Sequence, residues 1–100
     1  MATVFLEVVF PAGALKSSGF EGRDEIEDPL NDALLEAGVG EVTGGGGGTR
    51  GSNIDVEIAD EKRFDEAIVL IRQVLRDLHV PTSTTIRRPE PEEMIYRVYE

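Results

Sequence analysis

Four carboxylates have the type and spacing to do chemistry. Asp55 and Glu57 alternate with Ile54, Val56 and Ile58, Glu7 interrupts the apolar run Val4–Phe10, and Glu41 lies in the short run Val39–Thr43. Alternate residues of a strand share a face, so each acid would project from a strand whose other side is apolar. Carboxylates gathered in this way can hold a divalent cation, bind amines, or raise one another's pKa through repulsion. They equally suit a solvated sheet face, the commoner use of such charge. Arg87, in the β-branched run Thr82–Arg88, is a candidate counter-ion.

The other chemistry-bearing groups are less convincing as sites. His79 is the one histidine, placed before Val80-Pro81 at the end of a helical pattern, where a cation suits the helix dipole. No nucleophile-elbow pattern accompanies it, and histidine-rich metal coordination is excluded. The run Gly44–Gly48 invites a phosphate-loop reading, but no Lys follows and the glycines lead into a strand pattern rather than a helix. A flexible hairpin tip fits that run better. Tyr96 and Tyr99, with Arg97 between them, form a tail able to recognise a partner or simply to pack on its own domain.

Composition narrows the function classes. Twenty acidic against ten basic residues give 100 residues a formal net charge of −10, which disfavours nucleic acid and anionic membrane as partners. With no cysteine there is no disulfide, thiolate metal site or thiol nucleophile. No run approaches the roughly 18 apolar residues of a membrane helix, and Val4–Phe10 lacks a basic leader. The expectation is one domain (1–100), soluble and cytoplasmic, with no cofactor called for by any motif.

The elements that must position these groups follow from pattern. Thr3–Phe10 reads as a strand apolar on both faces, hence central, and Ala12–Glu27 as a long connection. Asp28-Pro29 predicts a helix start, with Leu30, Ala33, Leu34 and Ala37 as its stripe and Gly38 as its stop. Val39–Thr43 and Ser52–Ala59 predict a hairpin, mobile at its glycine tip. Asp60 predicts the cap of a second helix, striped by Phe64, Ala67, Ile68, Ile71, Val74, Leu75 and Leu78. Thr82–Arg88 reads as a fourth strand, and Met94–Tyr99 as a short strand or a final helix opening at Pro91.

This order, strand–helix–strand–strand–helix–strand, resembles the ferredoxin-like or split βαβ fold over about 3–88, with a tail at 89–100. The stretches Gly40–Gly45 and Asn53–Glu57 also look like those of small bacterial proteins of no settled function. The resemblance implies an α+β fold, a four-stranded antiparallel sheet and two helices on one face. Its usual strand order, 4-1-3-2, would bring Glu7, Glu41, Asp55 and Glu57 to the open sheet face with Phe5 and Val9 among them, and Arg87 near Glu7. Apolar groups on an open face suggest a cover: a second protomer packed sheet to sheet, one exchanging the Met94–Tyr99 tail, or the tail of the same chain folded over the face.

The function expected is that of a non-enzymatic binding or regulatory domain. It would act through protein contacts as a homodimer, its acidic surface steering a basic partner. An inhibitor that masks a basic active site is one concrete form. The alternative is a metal- or small-molecule-binding sensor, or a small enzyme, using the carboxylates of the open face.

Overall fold

A computed structural model describes residues 2–99. Its first strand, β1 (Val4–Pro11), buries Leu6, Val8 and Phe10 almost completely and leaves Phe5, Glu7 and Val9 on the other side. The connection that follows contains one helical turn, α1 (Ala14–Ser17), entered through Gly13 at φ 76°. Leu15 and Phe20 pack this segment against the core.

Helix α2 spans Asp24–Ala37, starting four residues before the expected Asp28 start and enclosing Pro29. The entry is fixed one turn earlier by a carboxylate and a hydrophobe. Glu25 accepts hydrogen bonds from the backbone N–H groups of Glu21 and Gly22, and fully buried Ile26 begins the stripe that continues at Leu30 and Leu34. Acids at positions 24, 25 and 27 suit the positive end of the dipole. Pro29 removes one internal hydrogen bond, a local cost that the burial of Ile26 offsets. Gly38, at φ 69°, ends the helix in the left-handed conformation expected of it.

The hairpin departs further from expectation. Strand β2 runs Gly40–Gly48 and β3 runs Gly51–Ile58, so the glycines are strand and the tip is only Thr49-Arg50. A bulge falls between Val42 and Gly44. Gly45 is accounted for by what crowds it: a Cβ there would lie 2.5 Å from the Asn53 carbonyl oxygen and 3.1 Å from Arg23 Nε. The Arg23 guanidinium lies along this ribbon, tied to Glu27 at 2.8 Å, where a larger residue's side chain would otherwise stand.

Asp60 caps as expected, but a 3-10 turn: its carboxylate accepts the Lys62 N–H at 3.0 Å over Glu61–Arg63. Helix α3 (Phe64–Asp77) follows, burying Ala67, Ile68, Ile71 and Leu75. Arg63 joins the two main helices by donating to the carbonyls of Ala37 and Gly38 at the end of α2. The chain leaves α3 through His79 at φ 59°. The fourth strand, β4, is only Thr85–Arg88, because Thr84 N–H closes a turn onto the Pro81 carbonyl. The tail is a strand, β5 (Met94–Arg97), not a helix.

The outcome is an α+β fold: one five-stranded antiparallel sheet, order β2-β3-β1-β4-β5, with three helices. The four-strand, two-helix count therefore gains β5 and α1. Buried residues of β1, β3 and β4 form one cluster with those of α2 and α3, which leaves the opposite sheet face open. Among the described residues, no helix is long and apolar enough to cross a membrane.

Candidate functional site: the open sheet face

Strand register decides which side chains meet. Phe5 stands opposite Glu57, which stands opposite Glu41. One step along, Glu7 stands between Asp55 and Arg87, and Ile95 of β5 lies beyond Arg87. A further step places Val9 between Asn53 and Thr85, with Arg97 beyond. Phe5, Glu7, Val9, Glu41, Asp55, Glu57 and Arg87 thus occupy one sheet face.

Two of these cross-strand pairs, Glu41 with Glu57 and Glu7 with Asp55, set like charges directly opposite, an arrangement that weakens a sheet. Arg87 relieves one of them. Its guanidinium holds Glu7 at 2.9 Å and Glu93 at 2.8 Å. Hydrogen bonds to Glu93 and then Glu7 push the arginine above its usual pKa. Asp55 has a neutral partner, accepting a hydrogen bond from the Asn53 amide at 2.8 Å. Glu41 and Glu57 have no ion-pair partner among the described residues.

Apolar groups interrupt the charge. Phe5 is 58 % exposed and Ile95 61 %, unusually open for large hydrophobes in a sheet whose other face is fully covered. Ile95 and Arg97 belong to this face and were missed in the sequence, because the Met94–Tyr99 run signals a strand without saying which strand it joins. Tyr96 and Tyr99 lie elsewhere. Tyr96 pairs with core residue Ile86 and packs on the Phe64 ring at a centroid distance of 5.9 Å. Tyr99 donates its hydroxyl to the Val80 carbonyl at 2.6 Å. Both are engaged within their own chain.

The geometry also bears on what the carboxylates can hold. Among the described residues, no three acidic or histidine side chains converge closely enough to ligate a metal ion. A cleft of about 910 Å³ opens beside Phe5, lined by Phe64, Lys62, Arg88 and Pro91 among others, but none of the four face carboxylates lines it. Glu41 and Glu57 share a shallower hollow of about 280 Å³ with Leu35 and Gly40. The four acids run along the face as two cross-strand pairs. Comparison of the chain with protein families, with curated proteins and with solved structures finds no match.

Proposed function

We propose that this chain is a non-enzymatic binding domain, working as a homodimer, whose open sheet face docks a basic partner surface. We read its fold as ferredoxin-like, supported by the strand order β2-β3-β1-β4, which is that of the split βαβ arrangement, with β5 added at one edge. One observation carries the partner's chemistry. Glu41 and Glu57 oppose each other with no counter-ion among the described residues, beside an exposed Phe5. A lysine or arginine from a partner would relieve that repulsion, while an apolar neighbour would cover Phe5. The net charge of −10 adds steering toward a basic surface.

The reading is tested by calorimetric titration with two peptides, hexalysine and an alternating Lys-Leu hexamer. The alternating peptide is expected to bind more tightly, with affinity falling in the Glu41→Gln/Glu57→Gln variant and again in Phe5→Ser. Equal binding of both peptides by the wild type and these variants would show that overall charge alone attracts them, and the docking face would be abandoned.

A further inference from the structure

The two edges of the sheet are protected very differently. At β5 the edge is four residues long, and arginines from α3 cover it: Arg72 Nε donates to the Arg97 carbonyl at 2.8 Å and Arg76 Nε to the Val98 carbonyl at 2.7 Å. At β2 the edge is nine residues long. There the Asn31 side chain accepts the Val42 N–H at 2.9 Å, and beyond that point Gly44–Gly48 has no partner outside the β3 ladder among the described residues. Alternate residues of a strand turn their N–H and C=O groups away from the neighbouring strand. The glycine ribbon therefore offers unpaired backbone with no side chain to fend off an incoming strand, the feature that monomeric sheet proteins ordinarily suppress with charge, proline or cover.

We infer that Gly44–Gly48 is the seam of the homodimer, where the β2 edges of two copies pair antiparallel and join two five-stranded sheets into one. This deepens the homodimer part of the reading above and rests on it. Two features favour a second copy as the occupant over an unrelated extended peptide. Antiparallel pairing of one edge with itself is self-complementary, as a two-fold interface requires. A two-fold axis through Gly46 pairs the outward-facing Gly45 of each copy with Gly47 of the other and, because the bulge takes up one residue, also brings Glu41 of each copy level with Arg50 in the other's turn. Both residues are exposed, and neither has an ion-pair partner among the described residues. The chain thus carries opposite charges at the two ends of its bare edge, spaced to meet across it. With Glu41 paired across the seam, Glu57 is the member of the like-charge pair left to a docked partner, beside Phe5 and Asp55.

Sedimentation equilibrium from low to high micromolar concentration, paired with amide hydrogen exchange, tests the inference. The wild type is expected to associate, with the outward-facing Gly45 and Gly47 amides gaining protection as concentration rises. Arg50→Glu and Glu41→Arg should each weaken association about tenfold, since each turns two flanking attractions into repulsions. The double variant should restore it. Both positions are exposed, and circular dichroism verifies that each variant folds. A wild type that stays monomeric overturns the seam and the homodimer reading together. A dimer indifferent to these substitutions but dispersed by Phe5→Lys overturns the seam alone and assigns the interface to the open face.

Discussion

Arg87 and Glu7 stand directly opposite on neighbouring strands, their side chains 2.9 Å apart, and Glu7 faces Asp55 on its other side. The arginine therefore does more than make one surface ion pair: it offsets a like-charge pair built into the centre of the sheet. Arg87→Met should lower the thermal midpoint, and Asp55→Asn in the same chain should recover part of the loss by removing the repulsion. Thermal denaturation of the two single variants and the double variant measures the coupling. Strictly additive effects would show that Arg87 does not moderate the repulsion between Glu7 and Asp55.

A second ion pair makes stability depend on acid. The Arg63 guanidinium hydrogen-bonds Glu66, with contacts of 2.6 and 3.0 Å, and holds that carboxyl below its ordinary value near 4.5. A depressed folded-state pKa means that the pair's contribution is complete above that ordinary value and is lost as pH falls through the lower, folded one. Glu66→Gln should thus be less stable than wild type at neutral pH, with the difference shrinking in acid. Urea denaturation across that range checks the convergence. Because both side chains are substantially exposed, the effect should also shrink in high salt.

Much of the fold was legible because side chains declared it. The alternation of Ile54, Val56 and Ile58 gave β3 its buried face, and the spacing of Ala67, Ile68, Ile71 and Leu75 gave α3 its stripe. The face carboxylates could be placed together for the same reason: they alternate with the core. Where residues lack side chains, pattern fails. The glycines of β2 carry no periodicity, and the bulge after Val42 would have broken it in any case. Pro29 misled in another way, since its local preference for a helix start was overridden by Ile26, whose burial is a tertiary fact. The fate of Tyr96 turned on which strand β5 would join, again a matter of packing.

The glycine ribbon makes a position-specific prediction. A Cβ on Gly45 meets the Asn53 carbonyl at 2.5 Å and Arg23 at 3.1 Å, whereas one on Gly48 has nothing within 4 Å. Gly45→Ala should destabilise by about 1–3 kcal/mol, as overpacking does. Gly48→Ala should be neutral or stabilise by up to about 1 kcal/mol, because it restricts the unfolded chain without straining the folded one. Denaturant titration of both variants decides it. Equal tolerance at the two positions would return the run to the status of a loose loop.

His79 occupies the left-handed region at φ 59°, where a side chain clashes with the backbone, yet it is exposed at the end of α3. His79→Gly should therefore stabilise the fold by about 0.5–1 kcal/mol, the relief of a non-glycine residue in that conformation less the added freedom of the unfolded chain.

Thr84 is buried to 1 % exposure, and its hydroxyl has no hydrogen-bond partner among the described residues. Its backbone N–H is already committed to the Pro81 carbonyl at 3.0 Å, so the turn before β4 does not need the hydroxyl. A buried donor without a partner carries a desolvation cost that an apolar isostere removes. Thr84→Val keeps the branched shape and should raise stability by about 1 kcal/mol, whereas Thr84→Ala should lower it by opening a cavity. A loss in the valine variant comparable to the alanine one would mean that the hydroxyl has a partner, an internal water being the natural candidate. Solvent-exchange measurements on the Thr84 hydroxyl proton would then find it protected by that bond.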